Sequence, residues 1–85
     1  MWEACVQVML KPGVLDPQGE TVGKALRTLG YDEVQTVRVG KVLKIKVEGA
    51  DQAAVAARVE EMCRRLLANP VIEQYSFQLV KESEG

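Results

Sequence analysis

The chain opens with a strict alternation of apolar and mixed positions. One parity is entirely apolar: Trp2, Ala4, Val6, Val8 and Leu10. A period of two predicts a β-strand with one face in the core. The other parity includes Cys5 and Met9, and it is less polar than a sheet face in contact with water normally is.

A helical period follows the loop KPGVLDPQG, residues 11–19. The apolar residues of TVGKALRTLG have the i, i+3, i+4, i+7 spacing of an amphipathic helix: Val22, Ala25, Leu26 and Leu29. Asp16 stands at the N-cap position, Pro17 suits the first helical position, and Gly30 can close the helix in the left-handed conformation. Pro12-Gly13 predicts a turn that ends the first strand.

The β-rich segment 33–48 admits two interpretations. Its apolar residues share one parity on both sides of Gly40: Val37, Val39, Leu43, Ile45 and Val47. A hairpin that turns over residues 40–42 sets Val39 opposite Leu43, and it likewise sets Val37 opposite Ile45. One long strand bent at Gly40 preserves the parity equally well. The hairpin is the favoured interpretation, and the bent strand stays open.

A second helix and a last strand complete the pattern. The helix is predicted within residues 51–70, capped by Asp51 and stopped by Pro70, with the stripe Val55, Val59, Met62, Cys63 and Leu66. The stretch QYSFQLV then alternates Tyr75, Phe77 and Leu79 with polar residues. This order predicts a single α+β domain, residues 1–85, with ferredoxin-like βαββαβ order and two helices packed on one face of a small antiparallel sheet.

The charge balance argues against nucleic-acid and membrane partners. Eleven Lys and Arg against twelve Asp and Glu leave a net charge of −1, and phosphate binding needs a basic excess on one face. No segment approaches the roughly 18 apolar residues of a spanning helix, and no secretion signal is recognisable at the N-terminus. We expect a cytoplasmic protein.

The residue types present in the chain argue against a catalytic site. Without histidine, no Cys–His or Ser–His–Asp arrangement is possible. Cys5 and Cys63 are too far apart in sequence for a metal knuckle, and we expect both to be reduced, small buried hydrophobes. No catalytic residue and no metal site is therefore predicted.

One face of the predicted sheet has no helix to cover it. Cys5 and Met9 lie on that face, and a small sheet with one open face often pairs with another copy of itself. These two residues are the predicted interface of a homodimer or higher homo-oligomer.

Three separated stretches resemble the PurS family, the small subunits of phosphoribosylformylglycinamidine (FGAM) synthase. They are LKPGVLDPQG at 10–19, ALRTLGYDEVQTVRVGK at 25–41 and MCRRLLANPVIEQY at 62–75. The resemblance runs from about Val6 to Tyr75, and it is weak between about Val47 and Arg58.

The resemblance implies a non-catalytic subunit in de novo purine biosynthesis. Dimers of it would bridge the glutaminase subunit PurQ and the synthetase subunit PurL and assist ammonia transfer. The complex would use ATP, Mg²⁺ and glutamine, with no cofactor bound by this subunit. The turns at 11–19 and 38–41 would face the partners, with the polar contacts Lys11, Asp16, Gln18, Arg38 and Lys41.

A second hypothesis comes from the same element order. A Pro-Gly turn between the first strand and the first helix also resembles ACT-type domains, which bind amino acids at a dimer interface. Such regulatory modules are usually fused to an enzyme, and we expect this chain to stand alone. The resemblance to PurS is therefore the favoured hypothesis, with a stand-alone ACT-like regulatory module as the alternative.

Overall fold

The computed structural model describes residues 1–82. Its elements are β1 (Trp2–Leu10), α1 (Pro17–Thr28), β2 (Lys41–Val47), α2 (Gln52–Met62), a π-helical turn (Cys63–Leu67) and β3 (Glu73–Lys81). Among these residues, no helix is both long enough and apolar enough to span a membrane.

The three strands form one antiparallel sheet with β1 in the middle, in the order β2-β1-β3. Val6 of β1 lies opposite Leu43 on one side and Phe77 on the other, so the apolar parities of all three strands share a face. The predicted α+β class, antiparallel sheet and two helices are confirmed.

The core lies between this face and α2. Its buried members come from β1 and from α2 with the turn after it, and all but Trp2 are small: Trp2, Ala4, Val6, Val8, Val55, Val59, Cys63 and Ala68. The apolar side chains of β2 and β3 are only partly buried against them. The core therefore rests on one strand and one helix.

The hairpin predicted at residues 40–42 is wrong. The chain does not reverse there: β2 pairs with β1, and residues 34–40, which we call the arm, have no strand partner within residues 1–82. The arm is held by α1 instead, because Asp16 Oδ2 accepts from Val39 N at 2.9 Å and Arg27 Nη1 donates to Val34 O at 3.3 Å. The alternative of one bent strand describes the path of the chain better.

Helix α1 begins and ends where the sequence predicts. Asp16 is the N-cap, and its side chain accepts from Gly19 N. Gly30 closes the helix with φ of 106°, while Tyr31 N donates to Leu26 O at 3.1 Å, as in a Schellman-type end. The Pro12-Gly13 turn is also confirmed, since Val14 N donates to Lys11 O at 3.1 Å.

Helix α1 contributes no side chain to the core. Within one copy, therefore, only α2 packs on the sheet as expected, and α1 does not. The shape agrees: the radius of gyration is 16.7 Å and the extents are 50 × 34 × 15 Å, whereas a compact chain of this length has a radius of about 12 Å.

The π-helical turn corrects the predicted stripe of α2. Ala68 N donates to Cys63 O, five residues back, at 3.0 Å, so the turn holds one residue more than an α-helical turn. The extra residue rotates Leu66 into solvent, where it is 83% exposed. Leu67 packs against the core in its place. Asp51 occupies the predicted N-cap position, but its side chain makes no capping hydrogen bond.

This rotation predicts opposite outcomes for two neighbouring leucines. Leu67→Ala should lower the free energy of unfolding by about 1–2 kcal/mol, since it removes a partly buried side chain. Leu66→Ala should stay within about 0.5 kcal/mol of the parent, as exposed substitutions do. Urea denaturation of both variants measures the difference. The reverse order would contradict the π-helical turn.

Candidate partner-binding surface

A cleft of about 280 Å³ lies where the end of β1, the start of α1 and the arm meet. It is lined by Val8, Leu10, Asp16, Pro17, Gln18, Val39, Gly40, Lys41 and Glu73. Lys41, a predicted partner contact, is therefore brought together with two others, Asp16 and Gln18, although it is distant from them in sequence. We call this the docking cleft.

Asp16 joins two elements at the wall of the docking cleft. Its Oδ1 accepts from Gly19 N at 2.8 Å and its Oδ2 accepts from Val39 N at 2.9 Å. These two hydrogen bonds hold the pKa of the carboxyl below its usual value, and the charge of Arg38 adds to the effect. Both oxygens are thus engaged within the chain.

The close approach of α1 to the arm depends on a missing side chain. A Cβ added at Gly19 would collide with the carbonyl oxygen of Val37. Gly19 is buried in the first turn of α1, so the helix and the arm meet backbone to backbone there.

Lys11 and Arg38 also bind within the chain. Arg38 Nη2 donates to Leu10 O at 2.7 Å and to Lys11 O at 3.1 Å. Lys11 Nζ donates to Pro70 O at 2.7 Å. Both cations therefore stabilise the turns around the docking cleft, and both remain accessible at the surface.

Gln18 and Lys41 differ from the other three predicted contacts. Both are exposed, and within the described part of the chain neither side chain forms a hydrogen bond or an ion pair. Their polar groups are thus the most available for a partner at the docking cleft.

The open face of the sheet carries more apolar surface than sequence reasoning found. Cys5 and Met9 are half-buried there. The register adds Val42, opposite Gln7, and Val80, opposite Glu3, with exposures of 57% and 59%. Val80 was missed, although its parity relative to Phe77 was a usable signal.

The two cysteines have different surroundings. Cys63 is buried in the core as predicted, and burial raises the pKa of its thiol, with a smaller contribution from the charge of Glu60. Cys5 is free and only half-buried, so the expectation of burial was wrong for it.

Among residues 1–82, no three His, Cys, Asp or Glu side chains are grouped so that they could hold a metal ion.

Comparison with known proteins gives one consistent family. The family model PurS, phosphoribosylformylglycinamidine (FGAM) synthase, matches residues 3–81. The chain is 46% identical over 79 residues to the FGAM synthase subunit PurS of Bacillus subtilis, covering 93% of each chain.

Solved structures agree with the sequence comparison. The crystal structure of Methanocaldococcus jannaschii PurS has a TM-score of 0.88 and 42% identity, covering 98% of this chain and 100% of that chain. A chain in the structure of PurLQS from Thermotoga maritima has a TM-score of 0.85 and 30% identity, covering 93% of this chain and 96% of that chain.

Because Asp16 accepts two backbone hydrogen bonds, replacing it with asparagine should lower the stability of the fold. Asparagine caps helices about as well as aspartate, but its side chain has one acceptor oxygen for two amide donors. Asp16→Asn should therefore leave Val39 N or Gly19 N unpaired and lower the melting temperature, and Asp16→Ala should lower it further.

The same hydrogen bonds determine how the stability difference between the parent and Asp16→Asn changes with pH. Folding lowers the pKa of Asp16. The extra stability of the parent relative to Asp16→Asn is therefore fully present above the usual pKa of 3.8. It is lost as the pH falls through the folded-state pKa. Melting curves between pH 7 and pH 2 test this. Equal melting temperatures at pH 7 would show that the second hydrogen bond adds no stability.

Proposed function

The chain belongs to the PurS family of FGAM synthase subunits, and from that premise we propose that it joins the glutaminase subunit PurQ to the synthetase subunit PurL. In this role it is a non-catalytic subunit of an ATP- and glutamine-dependent ligase of purine biosynthesis. It helps ammonia pass from the site of glutamine hydrolysis to the site of synthesis. The ACT-like alternative is not favoured by the comparisons.

One observation carries this proposal. The similar chain of Thermotoga maritima is part of a PurLQS structure, and the likeness to it extends over 93% of this chain. A backbone shared over that length supports the same kind of assembly for this protein. We further propose that the larger subunits bind ATP, Mg²⁺ and glutamine, that this chain binds none of them, and that the complex works in the cytoplasm.

The docking cleft is the proposed contact with a larger subunit. Gln18 and Lys41 supply free hydrogen-bonding groups at its rim. Lys11, Asp16 and Arg38 hold the surrounding turns by hydrogen bonds to backbone groups. A rigid rim lowers the entropy lost on binding, because little has to be ordered when the partner arrives.

Removing the polar groups of Gln18 and Lys41 should impair assembly of the complex and leave folding of this chain intact. Gln18→Ala with Lys41→Ala should leave the melting temperature nearly unchanged and lower glutamine-dependent synthesis by the reconstituted complex about tenfold or more. Synthesis from added ammonia should persist, because it bypasses the transfer between subunits.

The matched control is Gln52→Ala with Lys81→Ala, which removes the same two side-chain types from exposed positions outside the docking cleft. This control should support normal glutamine-dependent synthesis. Normal synthesis by the cleft variant as well would leave residues 11–19 as structural turns without a docking role.

The open sheet face is the proposed surface for self-association. Cys5, Met9, Val42 and Val80 give it an apolar stripe between polar neighbours, and such a face is typical of contacts between copies.

A charge on this face should reduce the size of the assembly. Met9→Lys should shift the sedimentation of the isolated chain toward smaller species, because a charge buried against apolar surface is costly unless it is paired. Cys5→Lys should act in the same way without touching Gly40, which Met9 contacts. Analytical ultracentrifugation that shows a monomeric parent at high concentration would exclude the contact.

A further inference from the structure

A second cavity lies along the end of α2 and the π-helical turn. It has a volume of about 320 Å³ and is lined by Arg58, Glu61, Met62, Arg65, Leu66 and Leu67. None of these residues lines the docking cleft. We call this cavity the helix groove.

The apolar part of the helix groove results from the π-helical turn. The extra residue in the turn leaves Leu66 exposed beside the half-buried Met62, while Leu67 packs against the core. Leu66 is therefore part of an apolar patch, and apolar patches with a polar rim mark interaction sites. Turns of this kind are rare and frequently lie at functional sites.

The rim of the helix groove has fewer carboxylates than guanidinium groups. Glu61 Oε1 lies 3.1 Å from Arg65 Nη1, and Glu61 Oε2 lies 3.7 Å from Arg58 Nη1. Within residues 1–82, no other carboxylate pairs with either arginine. Because both arginine side chains are exposed, these ion pairs are weak. The rim can therefore accept one more carboxylate.

A second copy of the chain fits the helix groove poorly. In an antiparallel pair of α2 helices about a two-fold axis near Met62, Arg65 would lie beside Arg58 of the partner subunit. Glu61 would lie beside its own counterpart in the same pair. Like charges that face each other oppose association. The charges therefore favour a different protein that carries a carboxylate.

The proposed bridging role requires two kinds of surface. Two copies of this chain would present two equal docking clefts, and equal clefts would bind the same subunit twice. The helix groove differs in charge from the docking cleft. Two arginines and one glutamate give the groove a charge of +1, whereas Asp16, Glu73 and Lys41 give the cleft a charge of −1. Surfaces of opposite charge select different partners.

We infer that the helix groove binds the larger subunit that the docking cleft does not bind. The occupant is a segment of that subunit with an apolar side chain over Met62 and Leu66 and a carboxylate beside Arg58 and Arg65. The added carboxylate gives two guanidinium groups two acceptors, and the planar geometry of arginine orients the segment. This inference rests on the proposed bridging role and names the second contact that the role requires.

Thiol labelling tests whether the helix groove is covered in the complex. Leu66→Cys, in a Cys5→Ser background, places one accessible thiol in the groove, since Cys63 is fully buried. Saturating PurL and PurQ should slow the reaction of this thiol with a maleimide by about tenfold or more, because a desolvated contact excludes the reagent. Mass spectrometry of this chain measures the rate. Omitting one larger subunit at a time identifies the one that covers the groove.

The labelling control is Gln52→Cys in the same Cys5→Ser background. Gln52 is exposed at the start of α2 and lies outside the helix groove. Its labelling rate should not change when the larger subunits are added.

Two neighbouring arginines test the charge of the rim. Arg64 and Arg65 each pair with a glutamate of α2, but only Arg65 lines the helix groove. Arg65→Ala should raise the concentration of this chain that gives half-maximal glutamine-dependent synthesis by about tenfold, since it removes a charged contact with the partner. Arg64→Ala is the matched control and should give the same half-maximal concentration as the parent.

The inference is overturned if the thiol at position 66 reacts at the same rate with and without both larger subunits, or if Arg65→Ala acts like Arg64→Ala. It is also overturned if labelling is already slow in the isolated chain and becomes faster on dilution, since a second copy would then cover the groove. If the parent supports glutamine-dependent synthesis while the groove stays reactive, the bridging role stands without this contact. If the parent supports no such synthesis, the bridging role itself is refuted.

Discussion

The carboxylate of Asp16 joins two parts of the chain that no hydrophobic core holds together. One oxygen accepts from the first turn of α1 and the other accepts from the arm at Val39. Because both bonds share one side chain, helix and arm move as a unit, with Gly19 allowing their backbones to touch. The position of α1 beyond the sheet, the path of the chain into β2 and the shape of the docking cleft all follow from this connection.

The sheet and the α1–arm unit are stabilised by different forces. The sheet is held by pairing on both sides of β1 and by burial of small side chains, among which Val6, Val8, Val59 and Cys63 are fully enclosed. The α1–arm unit is held by hydrogen bonds and has little apolar burial. The docking cleft is therefore lined largely by the part of the chain that contributes least to the core, as is usual for binding elements.

Local signals in the sequence predicted most of the elements, and long-range geometry decided the rest. The parity of β1 and the cap at Asp16 depend only on near neighbours, and both are confirmed. The path at Gly40 could not be read, because a hairpin and a straight strand place Val39 and Leu43 on the same face. Leu66 was misplaced because a π-helical turn shifts the period by one residue without a signal in composition. The partner contacts came from family resemblance, and the structure separates the bound Asp16 from the free Gln18.

The thin, elongated shape of one copy affects how the amount of this protein is controlled in the cell. A copy that has met no partner presents the edge of β2 and the stripe of α1 together, which is a template for aggregation and a substrate for quality-control proteases. Surplus copies should then be short-lived, while assembled ones persist. The amount of the small subunit would be matched to its larger partners by degradation as well as by synthesis.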